Sequence, residues 1–211
     1  MTLNPDALLQ VAEAAATLAF ALSGLLAAAR KRLDVVGVIA VAGLAAFGGG
    51  TLRDVLLDRR PFYWVEHSDW VWALLALCLL AMLFMRARHL VVTSRAMQWP
   101  DAVGLGLFSA SGTQIALVYG MPPLIAVLMG CMTAICGGVL RDIVCNEIPS
   151  AFHDHRPYAL CAFAGGWVAV AGVRFAWGEE ATLLAATATA TGLRALALWR
   201  DYELPPWRVT D

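Results

Sequence analysis

Long uncharged stretches alternate with short polar connections along this 211-residue chain, and the stretches set its architecture. A bilayer-crossing helix needs about 20 mostly apolar residues at about 1.5 Å rise each. Seven segments meet or approach that length: 7–29, 35–57, 70–85, 102–119, 123–145, 158–175 and 181–199. The uncharged run 102–140 is too long for one helix and is cut at Gly120-Met121-Pro122-Pro123, where proline cannot continue the preceding helix. Polar helix faces, which a soluble helical protein needs, are mostly missing. The pattern predicts an all-α polytopic membrane protein of seven transmembrane helices, forming a single membrane domain over 1–211 with a short C-terminal tail at 200–211.

Composition agrees: 60% of the residues are apolar and 15% charged, against about 25% charged in a typical soluble domain, and the mean hydropathy is +0.69. Tryptophans mark span ends as interfacial belts do, at Trp64, Trp70, Trp72, Trp99, Trp177, Trp199 and Trp207. A net charge of -1 supplies no basic field for nucleic acid. The five cysteines, Cys78, Cys131, Cys136, Cys145 and Cys161, are odd in number, lack a C-x-x-C pair and sit in apolar surroundings, so neither a disulfide framework nor a zinc site is expected. Asp6 and Glu13, with no Lys or Arg in the first thirteen residues, argue against a cleaved signal peptide. Short-loop basic residues favour one side, with Arg30, Lys31, Arg32, Arg86, Arg88, Arg95, Arg156, Arg200 and Arg208 against Arg59, Arg60 and Arg174. The positive-inside rule then predicts an inner-membrane protein with its N terminus outside and its C terminus in the cytoplasm.

Sliding the chain against itself by 88 residues lays Gly49-Gly50-Thr51-Leu52-Arg53-Asp54 on Gly137-Gly138-Val139-Leu140-Arg141-Asp142, with five of six positions identical. The same register aligns Phe20, Ser23 and Gly24 with Phe108, Ser111 and Gly112, Pro61 with Pro149, and Glu13 with Asp101. Each copy, about 7–86 and about 95–175, holds three spans, so the second enters the membrane from the opposite face. Such inverted repeats are typical of transporter-like folds, whose functional route runs between the copies. The seventh span lies outside the repeat, and its small residues around Thr187 and Thr189 suit close packing on a neighbour, in an oligomer among other settings.

Gly48, Gly49 and Gly50, and again Gly137 and Gly138, weaken their helices by about 1 kcal/mol each relative to alanine. A bend or unwound turn is expected there, facing protein or a wet path, because bare carbonyls are not tolerated in hydrocarbon. The alternative is that the glycines let helices approach closely. Arg53, near the far end of its span, and Arg141, at the opposite interface, either snorkel to lipid phosphates or guard the two mouths of the route. Asp54 is not expected to partner Arg53, since adjacent helical residues face apart, and a partner from another helix is called for. Glu13 is costly within the first span and should face protein or water. Asp101, following Trp99-Pro100, reads as a helix-start residue. Ser23, Ser111 and Thr113 either line a polar path or bond between helices. His153, Asp154 and His155 read as a solvated loop rather than a metal triplet, and His67 and His89 as interfacial. No nucleophile–base pair or phosphate-cradling motif argues for an enzyme.

Seven spans, two three-span repeats and Gly-Gly-x-Leu-Arg-Asp in the second helix of each resemble the prokaryotic branch of the trimeric intracellular cation channels, the TRIC family. The resemblance covers about 7–199. It implies a homotrimer with a potassium-permeable pore in each subunit, lined by spans one, two, four and five. Carried over, Gly48 to Gly50 and Gly137 to Gly138 become the bends, and Arg53 and Arg141, with Asp54 and Asp142, the pore-mouth or gating residues. Animal members place Lys-Glu-Val after the second-span glycines, where this chain has Leu52-Arg53-Asp54, which sets lipid-headgroup regulation of their kind in question. Arginine beside a cation path calls for oxygen ligands to offset it, from glycine-break carbonyls, from Ser23, Thr51 and Ser111, or from Asp54 and Asp142. No cofactor is implied; the permeant ion is potassium, with sodium the second candidate, and a bound lipid is a further expectation. Bacterial relatives also resemble proteins labelled glycine transporters, so a secondary transporter of a small amino acid such as glycine is the alternative. A structural scaffold leaves the duplicated glycines without purpose.

Overall fold

Asp34 starts the first reversal of the chain. Its carboxylate accepts the Gly37 amide at 2.8 Å and caps α2 (Val35–Leu56), which turns back along α1 (Pro5–Arg30). A short α3 (Tyr63–Glu66) leads to α4 (Asp69–Arg88), and α5 (Ser94–Val118) pairs with α6 (Pro123–Val144) across the Gly120 turn, where Gly120 has φ 76°. Another short helix, α7 (Ser150–His153), precedes α8 (Ala159–Arg174) and α9 (Glu179–Trp199). The fold comes from a computed structural model that describes residues 5–88, 94–153 and 155–205. His89, Asp154, Trp207 and Arg208 lie outside the described residues, as do the side chains of Arg86, Arg88 and His153.

The seven spans fall where the hydropathy pattern puts them, with three differences. α3 and α7 occupy stretches expected as plain connections. α5 starts eight residues before its apolar run and carries Pro100 internally, so Asp101 lies inside the helix and not at its start. Among the described residues, five helices are long and apolar enough to cross a membrane, while the apolar part of α4 (Asp69–Leu83) and α8 are shorter. The outward surface is rich in Val11, Leu22, Trp72, Leu79, Val118 and Leu184, all exposed, as suits a lipid-facing protein.

The repeat is visible in the packing. α1 meets α2 at Gly24, where an added Cβ would stand 2.8 Å from the Ala42 Cα; α5 meets α6 at Gly112, where it would stand 3.1 Å from the Gly130 Cα. Gly112 and Gly130 are the repeat equivalents of Gly24 and Ala42. α2 and α6 cross each other reciprocally. A Cβ on Gly49 would overlap the Thr133 carbonyl oxygen, and one on Gly137 would overlap that of Ala45, Thr133 being the repeat equivalent of Ala45. Equivalent residues also meet across the same pseudo-twofold axis, as the Phe20 and Phe108 rings stack at 5.6 Å and 17°.

α2 and α6 are hydrogen-bonded helices without interruption through their glycines. The glycines are therefore not in an unwound turn, and Gly49 and Gly137 permit close approach, since only a hydrogen fits against the facing carbonyl. α9 packs inside its own chain. Gly106 of α5 lies against Thr187 and Thr191, and Gly165 of α8 against Ala186 and Ala190, so the small-residue face of α9 is covered by α5 and α8.

Candidate functional site

Both arginines of the duplicated motif are buried, at 1% exposure each, although they lie in the last turns of α2 and α6. Neither snorkels to lipid. Arg53 Nη2 reaches Glu13 Oε1 of α1 at 2.5 Å, and its Nε and Nη2 donate to Asp54 Oδ1 at 2.9 and 2.7 Å. Asp54 is thus a partner of Arg53 after all. Its carboxylate turns to accept the Tyr63 amide on Oδ2 at 3.2 Å, which fastens α3, and the long arginine stem swings sideways to its other oxygen. Arg59 Nη1 stands 3.6 Å from both Glu13 Oε2 and Asp54 Oδ1. Two cations and two carboxylates make this cluster formally neutral.

The equivalent cluster forms at the other end of the bundle. Arg141 Nη1 meets Asp101 Oδ1 of α5 at 2.6 Å and donates to Ser23 Oγ of α1 at 2.5 Å, while Nε donates to Asp142 Oδ1 at 2.8 Å. Asp142 Oδ2 accepts the Ser150 amide at 2.9 Å, so it fastens α7 as Asp54 fastens α3. Asp101 Oδ2 accepts from the Tyr158 hydroxyl at 2.6 Å, and the Arg194 guanidinium of α9 lies 4.8 Å over the Tyr158 ring. Asp101 is a full member of this cluster rather than a helix-start residue. The charge balance differs from the first cluster, because the repeat equivalent of Arg59 is Glu147. Glu147 turns instead to the α1–α2 connection, pairing with Arg30 and, at 2.8 Å, with Lys31. Burial pushes its carboxyl pKa up, but the Lys31 and Arg30 hydrogen bonds and charges outweigh that and hold it below the usual value.

A cavity of about 10 Å³, room for a single water, is lined by Glu13, Thr17, Gly50, Thr51, Arg53 and Phe108 among others. Phe108, one of its walls, stacks on Phe20.

Similarity to known proteins runs over most of the chain. A family model described as a glycine transporter matches residues 10–86 and again 98–174, two copies offset by the same 88 residues as the sequence repeat. A UPF0126 membrane protein of Vibrio cholerae is 32% identical over 198 residues, covering 92% of this chain and 80% of its own length. The UPF0126 inner membrane protein YadS of Escherichia coli is 38% identical over 157 residues, 72% of either chain. A solved TRIC trimeric intracellular cation channel orthologue from Rhodobacter sphaeroides aligns with a TM-score of 0.85 at 34% identity, over 92% of this chain and 99% of that one. The chain belongs to the prokaryotic TRIC channel family. A second TRIC structure, of a prokaryotic channel in 0.5 M KCl, aligns at 0.85 and 25% identity, covering 93% and 98%.

In this TRIC-family chain the remaining site candidates scatter. Ser23 joins the Arg141 cluster. Thr51 lines the small cavity, donating to the Phe47 carbonyl at 2.7 Å and accepting from Trp64 Nε1 at 3.0 Å. Thr113 donates to the Ser109 carbonyl at 2.8 Å inside α5, and Ser111 is fully buried with its hydroxyl unpartnered. Gly48 faces Leu140, Gly138 lies near the Tyr158 hydroxyl, and Gly50 meets only the Arg53 guanidinium tip at 4.0 Å. Tyr158, Arg59 and Arg194 escaped sequence reasoning. Arg194, inside an apolar span, carried the same cost signal as Glu13 and was the one of the three open to discovery from sequence.

Proposed function

We propose that the chain is a monovalent cation channel, permeable to potassium, with one pore in each subunit of a homotrimer and the route running between its inverted repeats. The observation that carries this reading is the likeness, over almost the whole chain and at 34% identity, to a trimeric intracellular cation channel. A permeant cation needs oxygen ligands in place of its water shell. On this reading Glu13 and Thr51 supply them at one end, and Asp101, Asp142 and Ser23 at the other. Arg53 and Arg141 then act as resident counter-cations, satisfying the carboxylates while no ion is present and moving aside when one enters. Midway, the Phe20–Phe108 stack offers no oxygen and closes the path by excluding water. The conformation described above is accordingly a closed one, with the N terminus outside the inner membrane.

The test is reconstitution in planar bilayers under a potassium gradient, with glycine added afterwards. Unitary steps reversing near the potassium potential are expected. A second reading, a carrier for a small amino acid, is favoured by the family model described as a glycine transporter. It requires the opposite result, no current steps together with saturable glycine uptake into proteoliposomes.

A further inference from the structure

The inverted repeat lets each cluster be compared with its counterpart atom by atom. At the Arg141 end, Arg141 Nη1 donates to Ser23 Oγ at 2.5 Å, and the Ser23 hydroxyl donates in turn to the Met97 carbonyl at 3.2 Å. The repeat equivalents of these three residues are Arg53, Ser111 and Leu9. Neither of the corresponding bonds forms at the Arg53 end. Arg53 Nη1 and Ser111 Oγ are both buried, and both lack a hydrogen-bond partner. The two orphaned atoms are thus the counterparts of two atoms that bond each other in the other cluster. Buried polar atoms left unpaired are costly, and here the repeat names the partner that each would take.

The surroundings of the two ends differ in the same sense. Met97 is buried, whereas Leu9 is half-buried and borders, with Gln114 and Ile115 one turn past Ser111, a cleft of about 750 Å³ at the ends of α5 and α8. The small cavity beside Arg53 is walled by Phe108, which lies one turn before Ser111 on the same face of α5. The Arg141 cluster also shows how little has to change: Arg141 keeps Asp142 on Nε while its Nη1 serves Asp101 and Ser23 together. We propose that Ser111 is a second seat for the Arg53 guanidinium. In that seat Arg53 keeps Nε on Asp54 and turns Nη1 to Ser111 Oγ, as the end of α5 closes on the start of α1 and the cleft narrows. Glu13, one methylene longer than its counterpart Asp101, reaches Arg53 from α1 while the cleft is open. The present conformation is then an asymmetric one, with the Arg141 end fully bonded and the Arg53 end one bond short. Ser111 acts in it as a positioning residue, through Arg53. The second seat is common to a channel and a carrier, so it rests on neither reading of the function.

The experiment measures the distance between spin labels at Val11→Cys on α1 and Val118→Cys on α5, both exposed positions at this end, by pulsed electron double resonance on the full chain in detergent. Cys136→Ser removes the native cysteine that is not buried, and co-expressed unlabelled chain dilutes the labels so that distances within one chain are read. Two distances are expected, the shorter in about a tenth of the molecules or more, as for a populated minor conformation. Ser111→Ala should reduce the shorter population at least about threefold. Arg53→Lys, whose single ammonium cannot hold Asp54 and reach Ser111 together, should produce a similar loss and covers the case in which Ser111→Ala does not fold. A single distance, or two populations that these variants leave unchanged, overturns the second seat and assigns Arg53 Nη1 to a water in the small cavity. Neither current nor uptake is measured, so failure here leaves the channel reading standing, and absent current leaves the second seat standing.

Discussion

Arg53 and Arg141 show how far a residue's cost depends on its partners. A lone guanidinium in a dry bundle is expensive, but each here meets two carboxylates within 2.9 Å. Removing one member of such a cluster leaves the rest uncompensated. Arg53→Gln should therefore lower stability by about 3–5 kcal/mol, read as a fall in melting temperature in detergent, and Glu13→Gln in the same chain should recover much of it. An Arg53→Gln protein that melts like the wild type would falsify the dry, paired arrangement. The glycines give a sharper contrast, because a bend and a close approach predict different residues. Gly49→Ala and Gly137→Ala each push a methyl into a facing carbonyl and should cost about 1–3 kcal/mol. Gly50→Ala has room and should be neutral or gain up to about 1 kcal/mol in helix propensity. Equal damage at all three positions, measured by the same melts, would instead point to a bend. The motif itself was legible in the sequence through its repetition. What each glycine does was not, because the facing carbonyls of Thr133 and Ala45 come from the other repeat.

Among the elements, span count and order followed from apolar length alone, since a bilayer imposes that length. The start of α5 did not: Ser94 to Asp101 is polar enough to read as a connection, and it is helical because Met97 and Asp101 pack against α1 at Ser23. The short α3 and α7 carry no apolar signal and are held by one carboxylate each, Asp54 and Asp142. Between elements, Glu147 ties the α6–α7 connection to the α1–α2 connection through Arg30 and Lys31. Its folded pKa lies below the ordinary value, so its contribution is complete above about pH 4.5 and is lost as pH falls through the folded value. Melting curves of wild type and Glu147→Gln should accordingly stay separated from neutral pH down to that region and converge below it. A gap that persists unchanged into stronger acid would mean that charge pairing is not what Glu147 contributes.

For the molecule as a whole, the proposed assembly predicts that light scattering in detergent returns three times the 22.6 kDa chain mass, and a mass of one or two chains would remove the trimer from the proposal. The contact between α1 and α5 predicts that Phe20→Ala and Phe108→Ala, which open the stack on the pseudo-twofold axis, raise the fraction of time reconstituted protein conducts; unchanged gating in both would place the constriction elsewhere. The sequence by itself determined a membrane protein of seven spans built from an inverted repeat, because hydrocarbon thickness sets span length and an odd number of spans reverses the second copy. It also marked Glu13 as costly within its span and, through the repeated motif, singled out Arg53, Asp54, Arg141 and Asp142. Only the tertiary structure decided their pairing, the place of Asp101 beside Arg141, and the bracing of Tyr158 by Arg194. Those contacts join residues 36 or more positions apart or depend on how a side chain turns at a helix end, and neither is encoded in local spacing.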